Sequence, residues 1–159
     1  MEGLVGQNVQ VTLRDRNERM KGRVQLAGND FTILTHKTFQ FIIPNEMICW
    51  IDLANQFADP LHGDRLEHIG PCFRRCLTLH FGQVVSGSPE LIQLFYGLTL
   101  RVYLLSFIDE RIEIVTNQER IQGQLYQVDQ DSLTLCNEKR EQMILPADRI
   151  NIIQAPLGR

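Results

Sequence analysis

No stretch of the chain reaches the roughly 18 to 20 consecutive apolar residues of a helical membrane span, so no membrane partner is expected. The opening residues Met1 to Gly6 lack the basic and apolar regions of a secretory leader. Synthesis in a cytoplasm without a signal peptide is therefore expected. Aromatic residues make up only 8% of the chain, with a single Trp. Basic residues show no surplus: 16 Lys and Arg face 19 Asp and Glu, for a net charge of −3. Dedicated nucleic-acid binders usually carry a basic excess. The catalytic signatures that spacing can reveal are also missing: there is no Gly-x-Ser-x-Gly elbow, no phosphate-binding glycine loop and no His-Glu-x-x-His. Ser86-Gly87-Ser88-Pro89 reads as a turn and a helix cap. Neither enzyme activity nor a cofactor is expected.

What the chain does have is enough apolar surface to fold. Its 159 residues are 43% hydrophobic and 22% charged, which excludes a disordered chain and suits one ordinary domain or two very small ones.

An internal repeat organises the sequence. Glu18-Arg19-Met20-Lys21-Gly22 recurs as Glu119-Arg120-Ile121-Gln122-Gly123. At the same offset Val11 and Leu13 align with Ile112 and Ile114, Val24 with Leu125, and Asp30 and Leu34 with Asp131 and Leu135. After one extra residue in the second copy, Pro44 to Ile48 align with Pro146 to Ile150, and Ile51 with Ile153. Matches kept in order, with a single gap at a hairpin, indicate a duplication.

Each copy reads as five short strands. Residues 9–13 and 112–116 alternate apolar and polar, the pattern of a half-buried strand. Gly22 and Gly123 fall inside the second strand, where a missing Cβ permits a bend or a close backbone approach. Strands near 31–35 and 132–136 follow, then 38–43 and 141–145, closed by Pro44 and Pro146, which cannot donate to a ladder. A last short strand ends at Ile51 or Ile153. Short, bent strands of this kind predict a small closed or nearly closed barrel.

These residues resemble a family. Gly123-Gln124-Leu125-Tyr126-Gln127-Val128-Asp129, followed by Leu133 and Leu135, resembles the first motif of Sm-like proteins, including the bacterial Hfq type, and Pro146 to Ile153 is similar to the closing strands of that barrel. The resemblance implies a mainly β protein with a helical insert: two Sm-like, SH3-like five-stranded barrels related by duplication. The expected division is a first barrel at 1–53, a loop and helical insert at 54–98, and a second barrel with its N-terminal helix at 99–159. Leu133 stands where many Sm proteins carry an RNA-contacting asparagine, and Met143-Ile144-Leu145 is apolar where basic residues are usual. In layout the tandem repeat also resembles the spore coat protein B group of spore-forming Bacillales, which implies a structural coat component.

The segment between the copies is too apolar for a linker. Ser88-Pro89-Glu90 is a helix start, with Leu91, Ile92, Leu94, Phe95 and Leu98 on one face and Gly97 as breaker. Thr99 to Ile108 reads as a second helix burying Leu100, Leu104 and Phe107 or Ile108, and residues 72–85 lean to helix. The segment is expected to pack between the barrels or to dock a partner through an exposed apolar face. Cys49 and Cys136 fall on strands and read as small buried hydrophobes. Cys72, Cys76 and His80 share a helical face at four-residue spacing, with His62 and His68 upstream; plain packing, crosslinking and metal binding all remain open for them.

The function expected from these readings is a non-enzymatic structural or protein-interaction module of the spore coat type, self-associating or binding other coat proteins through its edge strands. Unpaired edges must be paired, covered or charged. The two copies are expected to pair with each other or with copies in another chain, Phe41, Ile42 and Ile43 being set against the 149–153 strand type, with Ile150 and Ile152 on that second strand. The alternative is an Sm-like RNA-binding regulator using the cluster Arg14, Arg16, Arg19, Lys21 and Arg23.

Overall fold

A computed structural model describes residues 2–14, 19–54 and 70–157. The protein is mainly β. Five strands precede the helices: β1 (Asn8–Leu13), β2 (Arg19–Ala27), β3 (Phe31–His36), β4 (Phe39–Pro44) and β5 (Ile48–Leu53). Among the described residues four helices follow: α1 (Pro71–Leu79), α2 (Phe81–Ser86), α3 (Pro89–Tyr96) and α4 (Leu100–Leu104). Five more strands complete the chain: β6 (Arg111–Thr116), β7 (Arg120–Val128), β8 (Ser132–Cys136), β9 (Gln142–Pro146) and β10 (Ile150–Pro156).

All ten strands belong to one antiparallel sheet of order β5-β1-β2-β3-β4-β10-β6-β7-β8-β9. The sheet is open. The expected closed barrels are not seen, because the outer edge of β4 is hydrogen-bonded to β10 and so is not offered to β5. Each half nonetheless repeats the same ladders. Val9 opposes Gly22 as Ile112 opposes Gly123; Leu34 opposes Phe41 as Leu135 opposes Met143. Even the bulges recur, between Val24 and Leu26 in β2 and between Leu125 and Gln127 in β7. These bulges, rather than the glycines, break the register of the long strands.

The ladders correct one part of the repeat alignment. Val9 and Val11, not Val11 and Leu13, occupy the places of Ile112 and Ile114. The reason is loop length: residues 14–18 separate β1 from β2, whereas residues 117–119 separate β6 from β7. A hairpin loop can change length without disturbing the strands that it joins.

Two apolar clusters fill the interior. Val9, Val11, Leu13, Val24, Leu34 and Ile43 form one, which Val115 and Ile152 enter from the second half. The other gathers Ile112, Ile114, Leu125, Leu135, Ile150 and Ile153 with Leu98, Leu104 and Phe107 of the helical segment, and takes in Phe31, Ile33 and Ile42 from the first half. Strands β3 and β4 are thus buried on both faces, which accounts for the adjacent apolar pairs Ile33-Leu34 and Ile42-Ile43.

The helical segment folds as its caps dictate. The Ser88 hydroxyl accepts from Leu91 N, and α3 ends at Gly97, whose φ of +75° suits glycine. Thr99 caps α4, and the Asp30 carboxylate accepts from Leu100 N at 2.7 Å, tying the helix to the first half. On α4 and the turn after it Tyr103, Leu104 and Phe107 are buried, whereas Ile108 is exposed. Leu79, Phe81, Leu94 and Tyr96 also remain exposed.

Candidate interaction surface

The junction of the two halves is an edge-to-edge strand pairing. Fourth-strand residues of the first repeat oppose fifth-strand residues of the second: Ile42 faces Ile153, Phe41 faces Gln154, Gln40 faces Ala155 and Phe39 faces Pro156. Leu157 N donates to Thr38 O and extends the seam by one bond. Ile42 and Ile153 are both fully buried. A side-chain lock holds the end of the seam. Gln40, itself buried, donates from Nε2 to Pro156 O at 2.7 Å and accepts at Oε1 from the Tyr103 hydroxyl at 2.7 Å. Sheet and helical segment are thereby joined through one amide.

Burial, with the negative charge of Glu90 adding to it, pushes the Tyr103 phenol up to about 12. The folded protein therefore holds this proton more tightly than the unfolded chain, whose tyrosines titrate near 10. The resulting stability is present below pH ~10 and is lost as pH rises toward 12. Tyr103→Phe leaves Gln40 Oε1 unpaired, at a cost of about 1–3 kcal/mol near neutrality. Urea denaturation at pH 8 and pH 11.5 is expected to show the gap between wild type and variant narrowing at the higher pH. A constant gap would show that the buried phenol is not the titrating group.

The five expected edge residues divide in the structure. Phe41 and Ile42 lie in the seam. Ile43 points into the first cluster, while Ile150 and Ile152 pair with β6 and are buried. None is a free edge position. Among the described residues the free edges are β5, which pairs only with β1, and β9, which pairs only with β8. Both carry exposed apolar side chains: Trp50 (63%) and Leu53 (55%) on β5, Met143 (42%) and Ile144 (68%) on β9. Placing the repeat on the seam finds these residues, since Met143 and Ile144 occupy the places of Phe41 and Ile42.

The basic cluster is split. Arg19, Lys21 and Arg23 alternate along β2 and are exposed on one face, and Arg14 is exposed in the adjoining turn. Arg16 lies outside the described residues. Arg23 Nε donates to Gly6 O at 3.0 Å. The equivalent stripe of the second half is neutralised, because Arg120 and Gln122 both engage Glu113.

The cysteine expectation needs correction at two positions. Cys49 is exposed and Cys136 half-exposed, because each side chain points outward from its strand instead of into a cluster. Cys72 and Cys76 are exposed on α1, and His80 follows its last turn. Among the described residues no group of three or more His, Cys, Asp or Glu could hold a metal ion. His62 and His68 lie outside them. Nor, among these residues, is any helix long and apolar enough to cross a membrane.

One cavity of about 770 Å³ opens between the helical segment and β2 to β4, lined in part by Gln40, Glu90, Tyr103, Ser106 and Glu110. Its hydroxyls are already engaged: Tyr103 donates to Gln40, and Ser106 donates to Tyr103 O. Its described lining carries the carboxylates of Glu90 and Glu110 and no imidazole, thiol or amine. No protein family matches the chain, and no curated protein is similar to it in sequence.

Proposed function

We propose that the protein is a non-enzymatic structural or protein-interaction module of the spore coat type, assembled from two Sm-like five-stranded units that arose by duplication and that associate through strand edges. The observation that supports this reading is the seam itself. The fourth strand of one repeat and the fifth strand of the other join by backbone ladder and buried isoleucines, so an edge of this design is competent to bind another. Backbone bonds supply the affinity in such strand addition, and alternate side chains supply the selectivity. The coat assignment predicts the chain in the extractable coat fraction of spores. Recovery from the vegetative cytosol alone would remove it.

A second reading, RNA binding, has one observation in its favour: Arg19, Lys21 and Arg23 form an exposed cationic stripe that no described carboxylate neutralises. Phosphate contacts would make affinity fall steeply with salt. The expected result is a protein-like ratio of absorbance at 260 and 280 nm after low-salt purification, with no gel shift on mixed RNA. A shift abolished by Arg19→Gln, Lys21→Gln and Arg23→Gln together would instead establish the RNA reading.

A further inference from the structure

The cavity of about 770 Å³ between the helical segment and β2 to β4 has the size of a small-molecule site. It opens beside the end of the seam, where Gln40, Tyr103 and Pro156 meet, and neither β5 nor β9 contributes to its described lining. The charged groups in that lining are the carboxylates of Glu90, in α3, and Glu110, just before β6, with no Lys, Arg or His beside them. Its hydroxyls add acceptors instead of donors. Tyr103 gives its proton to Gln40 Oε1 and Ser106 gives its own to Tyr103 O, so each oxygen keeps lone pairs to offer. An ionised carboxylate only accepts. The amides of Gln25 and Gln40 apart, every polar side chain of the described lining therefore presents acceptors alone.

We propose that this cavity binds a small organic cation, an aliphatic diamine in its doubly protonated form. Each ammonium carries three donors and no acceptor, which complements a wall of acceptors, and its two charges match two carboxylates. The alkyl chain between them suits the apolar part of the lining, supplied by Leu26, Ile33 and Phe107. One carboxylate is already held in place: the Ser88 hydroxyl donates to Glu90 Oε2 at 2.9 Å. After burial, the negative charge of Glu90 is what raises the Tyr103 phenol, so the field of this carboxylate reaches the cavity wall. A bare metal ion is the poorer occupant, since among the described residues no group of three or more His, Cys, Asp or Glu could hold one. The site adds a ligand to the assembly reading and does not depend on it.

The test is calorimetric titration of the full chain with α,ω-diaminopentane at pH 8 and low salt. Saturable one-to-one binding is expected, with no binding of glutarate, the dicarboxylate of equal carbon number, and no competition from calcium. Glu90→Gln and Glu110→Gln should each weaken binding at least about tenfold, since each removes a charge-assisted hydrogen bond. Both positions are exposed, and thermal melts verify that the variants fold. Glu46→Gln, which removes an exposed carboxylate outside the cavity, should leave the affinity unchanged. The amide resonances of Gln40, Tyr103 and Ser106 are expected to move during the titration, which locates the ligand. Absence of saturable binding overturns the proposal. So does displacement by calcium, or a pattern in which Glu46→Gln weakens binding as much as the cavity variants do.

Discussion

Lysine at position 42 is expected to destabilise the protein by more than about 4 kcal/mol or to prevent folding, whereas lysine at position 144 should change the stability of the dilute chain by no more than about 0.5 kcal/mol. The two residues are the same amino acid at equivalent places in the two repeats. Ile42 is fully buried, opposite Ile153 on one side and Ile33 on the other, while Ile144 is 68% exposed. Removing a buried isoleucine costs about 2–5 kcal/mol by itself. An ammonium without a partner in that site adds a desolvation penalty, which places the change among the severe ones. Exposed substitutions usually remain within about 0.5 kcal/mol. Chemical denaturation of the two variants at low concentration measures the contrast. Similar losses at both positions would mean that β4 and β10 do not form the seam.

The second large effect concerns the repeat glycines. Gly22→Val and Gly123→Val are each expected to cost about 1–3 kcal/mol, by the same mechanism. A Cβ added at Gly22 would stand 3.0 Å from Thr35 O and 3.1 Å from the Leu34 Cβ; at Gly123 it would meet Cys136 O and the Leu135 Cβ at the same two distances. The obstacle is the backbone of the next strand, which cannot move without breaking its ladder. Neither glycine has a positive φ, so the constraint is close approach. Gly82, in α2, has nothing within 4 Å of the position of a Cβ, and Gly82→Ala should instead stabilise slightly through helix propensity. Thermal melts of the three variants compare them. A Gly22→Val protein as stable as Gly82→Ala would show that strand two is misplaced.

Much of the fold was legible from local patterns. Alternation at Val9, Val11 and Leu13 marked β1 because a strand with one buried face must alternate. Ser88-Pro89 and Gly97 marked both ends of α3 because capping chemistry is local. The alignment of β1 with β6 went astray by two residues, since apolar alternation looks the same after a shift of two and only the ladder with Gly22 or Gly123 fixes the register. The edge site was legible in part. Phe41 and Ile42 pair with β10, whereas Ile150 and Ile152, expected at the same contact, pair with β6 and lie in the core. Cys49 was read as buried because its strand is apolar, and the sequence carries no mark of which side of an edge strand faces out.

By itself, then, the sequence determined the strands, the caps, the repeat and the near-contact glycines, all of which depend on neighbours in the chain or on the nature of a single side chain. Only the tertiary structure decided that β4 pairs with β10 of its own chain and not with that of another copy, that the sheet runs open through both halves, and that β5 and β9 are left as its ends among the described residues. Those outcomes depend on pairing between segments more than a hundred residues apart. Both fourth strands carry apolar residues and both fifth strands do as well, so hydrophobicity offers no choice among the possible edge pairings. The choice is made by geometry: α4 covers Phe31 beside the seam, Tyr103 reaches Gln40, and Gln40 reaches Pro156.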